Sequence, residues 1–133
     1  MLSTLFSIIL KIPNFIPMKR IRRIVRSFRP SKPVLVIEVN KADYYMAVSN
    51  YFLLAILFVD KSCRKMPTPA VKALVLHELI HLEDPTLSER GVDLRVIQLG
   101  FKEHLISFHR WHNKKFKKYK RKDGLTLDEI LHE

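Results

Sequence analysis

Apolar residues recur along this chain with two different periods. Between Met18 and Phe28, residues Ile21, Ile24, Val25 and Phe28 fall on one helical face and arginines on the other, which predicts a basic amphipathic helix. Pro33 to Val39 is rich in β-branched residues and predicts a strand. Tyr44–Val48 and Tyr51–Val59 predict two more, joined as a hairpin across Ser49-Asn50. Read instead as one run, Tyr44 to Val59 is 16 residues with two polar interruptions, a marginal membrane span that ranks below the sheet. Thr68-Pro69 then offers an N-cap and a proline at the first helical position. From Val71 to Leu82 the residues are mostly apolar, as in a helix buried on most sides, and Asp84-Pro85 stops it. A second helix is predicted over Leu87–Leu99. A third carries Phe101, Leu105, Phe108, Trp111 or His112, and Phe116 at spacings of three to four. Thr126-Leu127-Asp128-Glu129 fits a capping box that opens a short last helix with Leu127, Ile130 and Leu131 apolar. The sum is an α+β fold, a small three-stranded sheet packed on about four helices.

Composition narrows this to one domain with a modest core, since 133 residues with 47% hydrophobic content are too apolar for disorder. Residues 1–17 read as an apolar extension, 18–122 as the main domain and 123–133 as a tail. Leu2–Leu10 is too short to cross a bilayer, which takes roughly 20 residues, and it lacks a basic leader and an A-x-A site. A short helix, a membrane-surface anchor and a mobile extension all fit it. The lone cysteine, Cys63, excludes an internal disulfide and suits a reducing, cytoplasmic interior; a small core residue is the simplest reading of it.

The net charge of +11 concentrates in Lys19–Arg29 and in Lys114–Lys122. Such a surface favours weak contact with nucleic acid or an anionic membrane, although a solvated basic face is the simpler account. No helix-turn-helix, zinc-finger or RNA-binding motif accompanies the charge.

The chemistry lies in His77-Glu78-Leu79-Ile80-His81. Residues four apart share a helix face, so His77 and His81 can offer two imidazole nitrogens to one metal ion. Glu78 sits beside that metal, where its carboxylate can take a proton from a water that zinc has made acidic. The pattern is H-E-x-x-H. Two histidines and a glutamate inside so greasy a helix would be costly without a purpose, which favours a metal over a merely satisfied core.

A catalytic zinc takes three protein ligands. Downstream candidates are Glu83, Asp84, Glu89, Asp93 and His104. Glu83 and Asp84 end the same helix and reach back poorly. A second helix folding across the first would bring Glu89 to the metal and leave Asp93, one turn on, to accept a ring N–H from a zinc histidine. Thr86-Leu87-Ser88-Glu89 also fits a capping box in which Glu89 only ties off the helix start. With H-E-x-x-H upstream, the ligand reading is preferred. The histidines His104, His109 and His112 suit surface or core-edge roles, and one of them, or Arg110, is a candidate to stabilise an oxyanion.

His77–His81 followed by Glu89-Arg90-Gly91-Val92-Asp93 resembles the gluzincin signature, H-E-x-x-H plus E-x-x-x-D. The short separation and small size resemble the minigluzincins, soluble relatives of membrane-embedded gluzincin peptidases, over roughly residues 33–105. The resemblance implies a zinc endopeptidase in which Glu78 is the general base, His77, His81 and Glu89 hold Zn2+ and Asp93 supports a ligand. It also implies peptide or protein substrates and latency through the chain's own tail. One difference is plain: the edge strand of the larger relatives carries Asn-Ala-x-Ala, whereas this chain has Met46-Ala47-Val48-Ser49-Asn50. Two alternatives compete. A peptidase that cleaves regulatory proteins (ImmA/IrrE-like) fits less well, since E-x-x-A-N is expected where Glu89-Arg90-Gly91-Val92-Asp93 stands. A basic nucleic-acid-binding or regulatory protein with a structural or vestigial zinc site has no need of Glu78.

Overall fold

The computed structural model describes residues 18–40, 43–115 and 124–133. The apolar extension over residues 1–17 and the basic run beyond Lys115 lie outside the described residues. What is described is α+β, with a three-stranded mixed sheet and, among the described residues, five α-helices. The chain divides into two compact units at Arg64–Lys65.

The first unit opens with α1 (Lys19–Ser27), which buries Ile21, Ile24 and Val25 as the spacing predicts. The helix ends with Arg29 in the left-handed region (φ 51°), a conformation that usually selects glycine. Strands β1 (Val34–Val39), β2 (Met46–Asn50) and β3 (Ala55–Asp60) follow. Strand β3 is central, parallel to β1 and antiparallel to β2, so β2 is an edge. Its Ala55, Leu57 and Val59 are fully buried while Ile56 and Phe58 are half-buried, the alternation of a pleated strand.

The hairpin turn is not at Ser49-Asn50, which are paired in β2 with Ile56 and Ala55. It falls at Tyr51–Leu54, closed by Tyr51 N–H donating to the Leu54 carbonyl at 2.9 Å. After β3, a 3-10 turn (Lys61–Lys65) buries Cys63. Burial, helped by the nearby Asp60 carboxylate, pushes that thiol up to about 12, so it stays protonated and inert.

The second unit is helical: α2 (Thr68–Glu83), α3 (Glu89–Gln98), α4 (Lys102–Lys115) and α5 (Leu127–His132). Helix α2 packs on both α3 and α4, and α5 on α4. Thr68 is helical rather than the N-cap; Pro67 precedes the first turn and no side chain caps it. Pro69 in that first turn forfeits only an N–H that has no helical partner there. Helix α3 stops in a Schellman arrangement, Phe101 N–H to Val96 O at 3.1 Å and Gly100 N–H to Ile97 O at 3.0 Å. Gly100 takes φ +95° there, where a side chain would be strained. That turn reverses the chain into α4, whose Leu105 and Phe108 are fully buried.

Candidate metal centre

Helix α2 is buried almost all round, with Val71, Leu74, Val75, Leu79 and Leu82 among its buried residues. His77 and His81 lie one turn apart on it, their ring centroids 4.8 Å from each other. The link to α3 is built by Asp84, whose Oδ1 accepts from Thr86 N–H at 3.3 Å and from Thr86 Oγ1 at 2.6 Å. With Thr86 so engaged, the N-cap of α3 is Ser88, which accepts from Gly91 N–H at 3.0 Å. The competing capping box at Thr86–Glu89 is therefore not formed. Glu89 turns its carboxylate toward α2.

It does so with both oxygens. Glu89 Oε2 lies 2.8 Å from His77 Nε2 and Glu89 Oε1 lies 2.8 Å from His81 Nε2. The two Nε2 atoms are 3.2 Å apart. One turn along α3, Asp93 Oδ1 stands 2.8 Å from His77 Nδ1. Helix α3 thus brackets the His77 ring, a carboxylate on each nitrogen.

The proton positions follow from what each group can do. A carboxylate only accepts, so His77 Nδ1 carries the proton that Asp93 receives. In a neutral ring this leaves Nε2 as a bare lone pair facing Glu89. Lone pair against carboxylate repels, so the cluster calls for a cation at its centre: extra protons on the rings, or a metal ion.

His77, Glu78 and His81 place their ligand atoms within 4.8 Å of one another, a group that could hold a metal ion. Glu89 and Glu78 are then rivals for the carboxylate position, and distance separates them. Glu78 Oε2 is 4.0 Å from His77 Nε2, beyond direct contact, whereas Glu89 touches both rings. Exposure rises across the cluster, from 0% for the Asp93 side chain through 5% for His77 and 21% for His81 to 42% for Glu89. The floor is dry and the mouth is open.

Among the other residues singled out, Glu83 is exposed at the end of α2, and Asp84 serves the link. His109 and His112 are buried on α4, with Phe108 against both rings at 5.3 and 5.8 Å. Arg110 lines a surface hollow of about 330 Å³ with Glu103, Ser107, Trp111 and Lys114.

Two groups of the site carry no signal in the sequence. Leu125 donates its backbone N–H to Asp93 Oδ2 at 2.9 Å, a buried bond across 32 residues. Arg90, next to Glu89, meets Glu129 of α5 with both guanidinium nitrogens, Nη1 to Oε1 at 3.0 Å and Nη2 to Oε2. Backbone amides look alike in any sequence, and opposite charges 39 residues apart are no pattern. The Arg90 hydrogen bond, backed by the Thr126 N–H, holds the Glu129 carboxyl down to about 2. Glu129, a carboxylate of the tail, is thus engaged by Arg90. No protein-family model, curated protein or solved structure matches this chain.

Proposed function

We propose that this protein is a zinc-dependent endopeptidase, with His77, His81 and Glu89 as metal ligands and Glu78 as general base. The observation that carries this reading is the single Glu89 carboxylate bonded to two imidazoles that already face each other across 3.2 Å. Donors held about 2.0–2.1 Å from a tetrahedral zinc stand roughly 3.3 Å apart, close to what the two histidines adopt. Nitrogen donors with one carboxylate are a catalytic zinc set, and three protein ligands would leave a fourth position for water or substrate.

Zinc in that position would supply Lewis acidity, bringing the pKa of a water from about 16 to about 7 and polarising a peptide carbonyl. The protein's own groups do the rest. Asp93 fixes the tautomer and angle of His77, keeping Nε2 outward. Glu78, close to the ligands but not bonded to His77, accepts the water's proton as the oxygen attacks the carbonyl carbon. It returns that proton to the amide nitrogen as the C–N bond breaks.

The test is elemental analysis of the purified protein alongside hydrolysis of an unstructured protein. One zinc per chain is expected. Glu78→Gln should keep metal and fold and lose hydrolysis, because the amide preserves shape but cannot take the proton. Undiminished hydrolysis in that variant would sink the assignment.

We also infer that the protein works in a reducing compartment and touches anionic membranes peripherally. Among the described residues no helix is long and apolar enough to cross a bilayer. The β2–β3 turn nevertheless presents Tyr51, Phe52 and Leu53 to solvent, Phe52 at 94% exposure. Strand β1 begins level with that turn, Val34 opposite Ala55, and Lys32 donates to Asn50 Oδ1 at 2.7 Å and to the Tyr51 carbonyl at 2.9 Å. Lys32, in the link from α1 to β1, thereby sets a positive charge beside an apolar tip.

A further inference from the structure

We infer that the segment from Gly124 to Glu133 is a latch that completes the metal centre, and that Leu125 is a positioning residue for His77. This rests on the zinc reading above and adds to it a role for residues outside the metal-binding signature.

Asp93 is the hinge between the latch and the metal centre. Its side chain is wholly buried, and a buried carboxylate is tolerable only when its oxygens are hydrogen-bonded. Oδ1 receives the His77 Nδ1 proton at 2.8 Å and Oδ2 receives the Leu125 backbone N–H at 2.9 Å. The two bonds hold the carboxylate by one oxygen each. Turning it to favour either partner would lengthen the bond to the other. Leu125 therefore sets the angle of Asp93, Asp93 sets the angle of the imidazole, and the imidazole points Nε2 at the place of the metal.

The rest of the segment keeps Leu125 there. Its own side chain is 3% exposed and Ile130 is fully buried. Thr126 and Glu129 form a reciprocal capping box, which fixes α5 relative to Leu125. Glu129 then grips Arg90 with both oxygens. Arg90 and Asp93 are three apart on α3, so the latch holds that helix at two points about one turn apart, the first of them adjacent to Glu89. Helix α3 has only ten residues, too few to be stable alone. The latch fixes the helix that carries one proposed ligand and the support of another.

Removing the latch should weaken zinc binding, whereas a tail that only blocks the cleft would leave affinity intact when removed. The experiment compares the full chain with a chain ending at Asp123 and with Leu125→Pro, which removes the amide hydrogen along with the buried leucine side chain. Zinc affinity is read by chelator competition, folding by circular dichroism, and the His77 Nδ1–H by proton–nitrogen NMR on the metal-free protein. The full chain should bind one zinc and show a protected Nδ1–H resonance. Both variants should bind zinc about 10- to 100-fold more weakly, the size of effect expected for lost ligand support, with faster exchange at that proton. Should the shortened chain fail to fold, Leu125→Pro still decides the matter. Unchanged affinity and exchange in folded variants would overturn the latch and leave the zinc site standing. So would faster hydrolysis at unchanged affinity, which would make the tail an inhibitor. If the full chain binds no zinc, the metal reading itself fails and the latch falls with it.

Discussion

Glu89 and Asp93 sit on the same face of α3 and meet the same imidazole, yet they should answer mutation differently. Glu89 faces the lone-pair side of two rings and would be a direct donor, so Glu89→Ala removes one of three ligands. Asp93 acts through His77 and affects only orientation and basicity. Elemental analysis and chelator competition should therefore find Glu89→Ala largely metal-free and Asp93→Ala still loaded, about 10- to 100-fold weaker. The reverse ranking would mean that the roles are exchanged. At this scale the sequence was highly legible where geometry is local. Helical pitch alone puts His77 and His81 on one face, and they are there. It was ambiguous at Glu89, because a glutamate three residues after a threonine can cap as readily as ligate. The ambiguity was resolved by Asp84, which binds Thr86 and moves the cap to Ser88. No reading of residues 86–89 alone would have predicted that competition.

Elements were legible in kind and misjudged at their ends. The pattern puts the β2–β3 turn too early because Tyr51, Phe52 and Leu53 read as strand, whereas they are exposed in the turn. Hydrophobic pattern identifies strands by assuming that apolar residues are buried, and it misplaces a boundary wherever they are not. The short α5 shows the opposite case: its capping box was visible in four residues, but its partner on α3 was not. Its docking has a pH signature with a definite sign. The Glu129 carboxyl is lowered from 4.5 to about 2, chiefly by the Arg90 hydrogen bond, so the stabilisation is complete above about pH 4.5. It is lost as the pH falls from there toward 2. Hydrogen exchange of residues 125–133 in the metal-free protein should accelerate over that window. Arg90→Met should remove the step, and an identical pH profile in that variant would show that the ion pair does not govern docking.

At the scale of the whole molecule, the charge of +11 exceeds anything the proposed chemistry needs. A diffuse positive field draws the protein toward any polyanion, and salt screens it within about 10 Å at 0.1 M. Charge alone therefore predicts binding that vanishes at high ionic strength and does not depend on particular side chains. The exposed Tyr51-Phe52-Leu53 tip predicts something further. Inserting a phenylalanine side chain into the boundary of a bilayer is worth roughly 1.5–3 kcal/mol, comparable with two or three basic residues at about 1 kcal/mol each. Phe52→Asp should then lower binding to phosphatidylserine-containing vesicles about tenfold or more in sedimentation assays. Phe52 is almost fully exposed, so folding and zinc content should not change. Wild-type protein should keep part of its vesicle binding in high salt, and the variant should keep none. If both proteins sediment equally with vesicles at every salt concentration, the tip plays no part, and the membrane is held by charge alone.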